Sequence, residues 1–469
     1  MRNLFIRGLM LSPLILILLT ANLYAQNFVY TNNNNPGPNS VTAFSVAPDG
    51  TLTNIGSFPT GGTATGGGFF GANRARVSMV GNRLYVANDG SNDVSGFDIN
   101  PATGALTLVP GSPFVTGGIG GGETSLDCTP DGQFLIAASS GSNVITVFSI
   151  AANGALTPVA GSPFAVGRQL VGIKITPNGQ FLAVALPDAV GMFSIAPDGV
   201  LTPVPGSPFP SPANGVAASV EINCASNLLF APQANTGGTN IDVFSIAPTG
   251  QLTLLQTSNN DGVGSNSNQA VLSPNQQFLF VSNQFSDTVT VFSVAANGII
   301  SLVPGSPFGG VSGPRGIVTN AAGTLLFTND HSNVASFSIA ANGALTLVGS
   351  FQTGRDSFSM SIAAFPVASC ATFDLCIQDD SSGDTLRLNS TTGDYQFTRC
   401  SPRFLLTGRG TVRNQGSLLS LQHEPSDRRV LVQLDTSAKK GKASIKVLSP
   451  GATFTMMDSD TSNNTCACP

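Results

Sequence analysis

The chain has 469 residues, with 20 Lys and Arg against 25 Asp and Glu for a net charge of −5, and it carries 53 Gly, 30 Pro, 30 Phe and no Trp. That length accommodates a large core and about two domains, while a charged fraction of 10% beside 41% hydrophobic residues excludes a disordered chain. The scarcity of Lys, Glu and Met argues against helical layers, and two His in the whole chain exclude a metal centre built on several imidazoles.

Residues 1–25 read as a secretory signal peptide: Arg2 and Arg7 make a positive start, Leu9 to Leu19 is apolar, and Ala25 offers the cut that leaves Gln26 first. Leu23, three residues before the cut, is bulkier than usual there, so an uncleaved anchor is the alternative. No later stretch approaches the roughly 20 unbroken apolar residues of a membrane helix. The expected address is therefore secreted, periplasmic or cell-surface.

From Gln26 a unit of 45 to 53 residues repeats seven times, marked by the Phe of a Phe-Ser or Phe-Asp pair at Phe44, Phe97, Phe148, Phe193, Phe244, Phe292 and Phe337. Such periods belong to propeller blades. Within a unit, "QFLFVSN" from Gln277 and "TVTVFSV" from Thr288 have the apolar content and period-two alternation of strands. A turn ending in Gly follows each time, at Gly50, Gly104, Gly154, Gly199, Gly250, Gly298 and Gly343. There Gly meets a positive φ without steric cost.

The third strand is "GALTLV" or a variant, and "GSPF" at Gly111, Gly161, Gly206 and Gly305 is expected to end it, because Pro donates nothing to a ladder. A fourth strand lies beyond a Gly- and Asn-rich crossing, as in "GIKIT", which Pro177-Asn178-Gly179 joins to "QFLAV". The fold class is all-β: a seven-bladed β-propeller of four-stranded antiparallel blades over residues 26–366. "NFVYTNN" enters without a preceding strand, and "DSFSMSIAAFP" from Asp356 leaves one without a blade. The two ends should share a blade.

Residues 367–469 read as a small antiparallel β domain of six to eight strands, sandwich-like or barrel-like, with 11 cations and 10 carboxylates. Five of the seven Cys lie there. Cys376, Cys400, Cys466 and Cys468 are disulfide candidates, with pairing open, whereas Cys128 and Cys224 read as buried thiols at corresponding repeat positions.

"RLYVAND", "FLFVSNQFSDTVTVFSV" and "ITPNGQFL" resemble the seven-bladed lactonase family, which includes bacterial 6-phosphogluconolactonase and fungal carboxymuconate cyclase and is grouped with YVTN-repeat surface proteins. That resemblance implies lactone chemistry from a His-Pro-His run, a "PRH" run with a following Asn-Glu, and a late "PR". Only the last is matched, by Pro314-Arg315. "GRQLVG" with Arg168, "ANGVAA" and "PQAN" with Gln233 replace the others. The C-terminal words "LCIQDDSSGD" and "CAC" resemble a module appended to exported bacterial proteins.

Five of seven propeller cations fall in the crossings after the outer strands: Arg74, Arg76, Arg168, Arg315 and Arg355, accompanied by Glu123 and Asp356. Gathered at one channel mouth, these seven residues would suit a small anionic ligand, an acidic saccharide or an envelope protein, since Arg presents a planar donor fork. The expected role is binding by a monomer, with no cofactor and no metal. An enzyme would improvise its site from Arg315, Arg168 and Glu123, and a cell-surface structural role is the third reading. "NDGSND" from Asn88 offers calcium closely spaced oxygens, but reads first as a turn. Seven cations against fifteen carboxylates make the propeller a poor nucleic-acid partner.

Overall fold

The computed structural model describes residues 27–34, 36–66, 75–77, 82–118, 124–212, 215–234, 239–260, 266–329, 332–353, 362–367 and 370, with the backbone of seven strands between 375 and 448. Among them every regular element is a strand. Seven four-stranded antiparallel sheets form a propeller ring. From axis to rim, blade four runs Gly172–Ile175, Phe181–Leu186, Ala189–Ile195 and Leu201–Pro203. The innermost strands neighbour one another in an unbroken cycle that returns from blade seven to blade one. Seven further strands between Leu375 and Leu448 pair in chain order as one antiparallel sheet.

The termini share blade one, as the orphan segments imply. Ile362–Phe365 is its innermost strand and pairs with Asn27–Asn32, Phe28 facing Phe365 and Thr31 facing Ile362. Phe28 and Phe365 also stack, with ring centroids 6.4 Å apart.

No single core serves the ring. Each hydrophobic cluster straddles two blades: Ile136 and Val147 of blade three pack with Ile173 and Val184 of blade four, and Val190 and Met192 of blade four with Leu229 and Phe244 of blade five. A recurrent contact sets these seams. The turn glycines all have φ between 71° and 88°, and a Cβ on Gly250 would stand 2.5 Å from the Phe181 ring of the preceding blade. The same approach joins Gly104 to Phe28, Gly298 to Leu228 and, across the closure, Gly50 to Leu325. Two tyrosines reinforce it: the buried Tyr30 and Tyr85 hydroxyls donate to the carbonyls of Gly104 and Gly154, 3.0 Å away. Nearer the mouth, hydroxyls on the third strands reach the preceding blade's outer strand, Ser95 to the Thr60 carbonyl at 2.8 Å and Thr146 to that of Thr116 at 2.5 Å.

The expectation that "GSPF" ends the outer strand needs correction. In blade two, Leu108 faces Phe97, the chain detours, and Phe114 rejoins the ladder opposite Val94. The serine bridges the gap: Ser112 Oγ accepts from Gly96 N at 2.9 Å, and Ser162, Ser207 and Ser306 repeat the bond. The Ser-Pro peptide is cis in all four copies. Blades one, five and seven carry an ordinary bulge at the same register, as between Ala43 and Phe44. GSP is therefore a short insertion at a bulge that every outer strand needs.

Cys224 is the second correction. Cys128 is a buried thiol on its blade's innermost strand, opposite Leu135. The residue at that register in blade five is Ile222, opposite Leu229, so Cys224 lies two positions further on, in a turn. There it is reachable, and it forms a disulfide with Cys370. Cys376 and Cys400 fall on C-terminal strands whose side chains are not described, and Cys466 and Cys468 lie outside the described residues.

Gly250→Ala is expected to cost about 2–4 kcal/mol in urea unfolding, because it adds both a strained φ and a clash. A double variant with Phe181→Ala should be less destabilised than the sum of the two single changes, and strict additivity would refute the seam contact. Burial holds the hydroxyls of Tyr30 and Tyr85 neutral far above their ordinary range. Their contribution is complete below about pH 10, where the unfolded phenols are also neutral, and falls as pH rises beyond it by up to about 1.4 kcal/mol per unit for each tyrosine. Urea midpoints between pH 9 and 11 should show this slope, reduced in Tyr85→Phe.

Candidate functional site

Strand directions give the ring two unlike ends. The crossings between blades share one end, the mouth, with the loops joining second to third strands. The other end, the base, carries the turns after the innermost strands and the glycine turns.

Arg315 belongs to the crossing into blade seven and Arg168 to the crossing into blade four, so they stand on nearly opposite sides of the axis. Arg315 is 5% exposed and its backbone is held on both sides: its N–H donates to the Asn329 carbonyl at 3.0 Å, and its carbonyl accepts from Ser282 Oγ at 2.5 Å. The neighbouring Gly316 N donates to Asn329 Oδ1 at 2.9 Å, and Gly313 N to Asp287 Oδ1 at 2.6 Å. The crossing is thus a fixed cradle for a cation. Arg168 differs: its guanidinium pairs with Asp188 of the adjacent loop, and both side chains are well exposed. For Arg76 the backbone alone is described, opposite Tyr85 on the innermost strand of blade two. Arg74, Glu123, Arg355, Asp356 and also His331 lie outside the described residues.

Gln233, which stands where the resemblance implies an Asn-Glu pair, is fully buried. Its Nε2 donates to Ser211 Oγ at 2.9 Å, Ser211 in turn donates to Asp242 Oδ2 at 2.5 Å, and Thr257 Oγ1 donates to Asp242 Oδ1 at 2.6 Å. This network fastens blade four to blade five. The oxygens of "NDGSND" are likewise engaged by protein donors, Asp89 by Thr65 and Asp93 by Asn88.

The sequence reading overlooked the channel wall. Arg76, Asp127, Lys174, Glu221, Val271, Val318 and Ala363 occupy one register on the seven innermost strands, each opposite the third residue of the following strand's core. Blades two to five thus bring residues of alternating charge, and blades six, seven and one bring apolar ones. Lys174 Nζ lies 3.0 Å from Glu221 Oε2, the two side chains being 19% and 12% exposed. Asp127 Oδ2 accepts from Ile175 N at 2.8 Å. The signal was present in the chain: the register lies five residues before a turn residue in left-handed conformation, Gly132, Gly179, Ser226, Gln276 or Gly323.

Residues 21–118, 69–214 and 238–360 match the family described as lactonase, 7-bladed beta-propeller. No curated protein matches the chain. Among solved structures, a periplasmic gluconolactonase of Pseudomonas aeruginosa aligns with a TM-score of 0.61 at 17% identity, over 73% of this chain and 99% of that one. Candidate 6-phosphogluconolactonases of Bacteroides uniformis and Bacteroides fragilis align at TM-scores of 0.59 and 0.56 with 17% and 21% identity, each over 72% of this chain and over 99% and 98% of theirs. At such identities the likeness speaks for the fold alone.

Replacing Lys174 by Met strands the Glu221 carboxylate in the wall and should cost about 1–3 kcal/mol, whereas Lys174→Met with Glu221→Leu should return to within about 1 kcal/mol of the parent. Denaturation midpoints of the four proteins decide this, and additive costs would show that the pair is not coupled.

Proposed function

The chain belongs to the seven-bladed β-propeller lactonase family, and on that premise we propose that it is an exported binding protein whose mouth takes a small sugar acid or acidic saccharide without turning it over. Arg315 carries this reading. It is the residue that matches the family's late "PR", and a buried arginine whose backbone is fixed by hydrogen bonds on both sides is suited to anchoring a carboxylate or phosphate. The positions that should bring imidazole and acid chemistry instead serve the framework: Gln233 ties blades four and five, and Arg168 is paired with Asp188. The lactonases among the structural neighbours suggest the ligand class, sugar acids and their lactones. Lactone hydrolysis through Arg315, Arg168 and Glu123 is the competing reading, favoured by the family itself.

Export rests on the leader sequence and is supported by the Cys224–Cys370 disulfide, which belongs to an oxidising compartment, and by the periplasmic origin of one neighbour.

The protein from Gln26 onward should bind gluconate, 6-phosphogluconate or a uronate saturably in calorimetry and leave δ-lactones and aliphatic lactones unhydrolysed. Arg315→Ala with an unchanged circular dichroism spectrum should weaken binding roughly tenfold or more, and Arg168→Ala less. Hydrolysis that disappears in Arg315→Ala would make the protein a lactonase. Equal affinity in both variants would remove the mouth from consideration.

A further inference from the structure

The ring is sealed by a strand of four residues. Ile362–Phe365 has a ladder with Asn27–Asn32 alone, and as the last propeller strand it is where fraying would begin. Pro366 and Val367 follow, with Val367 packed against the cluster shared by blades one and two. Five residues after Phe365 comes Cys370, bonded to Cys224 with Cα atoms 4.8 Å apart.

Cys224 belongs to blade five, in the turn between its innermost strand, Glu221–Ile222, and its second strand, Leu228–Ala234. In the cycle of innermost strands blade five stands across the axis from blade one, three blades away in one direction and four in the other. Five residues reach at most about 17 Å, enough for a chord across the base and too little for the circumference. The anchor is firm: Cys224 N donates to Gln276 Oε1 at 2.9 Å, and Gln276 Nε2 donates to the Ser273 carbonyl at 3.0 Å, so the turns of blades five and six are clipped together.

We propose that Cys224–Cys370 is a second, covalent fastener of the ring, which keeps the closing strand in blade one and makes that closure dependent on an oxidising environment. With the bond formed, a detached Ile362–Phe365 is held within a few residues of its place and re-pairs at high effective concentration. It also isolates the closure from the C-terminal sheet, which starts at Leu375: motion or load from that sheet reaches blade five before it reaches the strand that seals blade one. Reduction exposes a four-residue terminal strand to whatever the following hundred residues do.

Hydrogen exchange followed by mass spectrometry on the full mature chain tests this, with the folded protein oxidised, then reduced and alkylated, and with Cys370→Ser to separate this bond from other cysteines. Peptides covering 27–32 and 362–365 should exchange at least tenfold faster after reduction and in Cys370→Ser, while those covering 181–186 in blade four stay unchanged. Unaltered exchange in blade one after verified loss of the bond would overturn the proposal. So would equal acceleration in every blade, or a non-reducing digest that finds Cys224 bonded elsewhere. If Cys370→Ser does not fold, reduction of the folded wild type alone decides between these outcomes.

Discussion

Seven times around the ring, the first residue of a blade's second strand is pressed against a turn that has no side chain. A glycine at positive φ leaves room for an aromatic ring or a branched side chain from the preceding blade, as at Gly250 and Phe181, and any Cβ would occupy that space. The stability of the fold is the sum of seven such seams, because each apolar cluster is split between two sheets and none belongs to one blade. A blade alone would expose both faces. The repeat vocabulary follows from this: the Gly must return once per unit, with a bulky second-strand residue, Phe in four blades, and the Phe of the third strand at fixed distances from it. Blade two is the instructive exception. Arg83 stands where the other blades bring Phe or Leu, and its guanidinium pairs with Asp98 at 3.1 Å and donates to the Ala152 carbonyl at 2.6 Å in the next blade's turn. Where six units write Ser after the third-strand Phe, this unit writes Asp98, so the departure from the repeat is matched by its partner.

Elements whose physics is local were legible in the chain. Turn glycines, alternating strands and the orphan segments at either end defined the blades and predicted the shared one. Features that depend on register across blades were not. Cys128 and Cys224 look equivalent when aligned by their neighbours, yet the pairs Cys128–Leu135 and Ile222–Leu229 share one register, so Cys224 falls two residues beyond the core strand, in a turn. The charged register on the innermost strands escaped for a similar reason. Asp127, Lys174 and Glu221 sit in three different-looking words, and only the left-handed turn residue five positions later places them side by side. The family's late Pro-Arg pair was legible because Pro314 and Arg315 are contiguous. Arg168 looked equally promising, because its partner Asp188 is 20 residues away and nothing local announces it.

The candidate site shows how little chemistry a propeller needs to keep while keeping its shape. Side chains near the mouth have two possible employers, the ligand and the next blade. Gln233, Ser211 and Asp242 are wholly engaged in joining blades four and five, with Asp242 fully buried and accepting two short hydroxyl bonds. Arg315 is held by its backbone N–H and carbonyl. On the reading proposed above, a buried cation fixed in this manner gives orientation to an anion more than it gives reactivity.

The serine detour on the outer strands has a consequence beyond the blade that carries it. An outermost strand presents a row of backbone donors and acceptors to solvent, and a straight one is a template on which another chain can add a strand. In blades two, three, four and six the detour and its proline break that row after about three residues. Blades one, five and seven keep outer strands of 13, 9 and 8 residues, and the last two display Leu254, Leu255, Leu347 and Val348 to solvent. Intermolecular strand addition, the first step toward aggregation of a crowded β protein, is therefore confined to three of the seven blade edges.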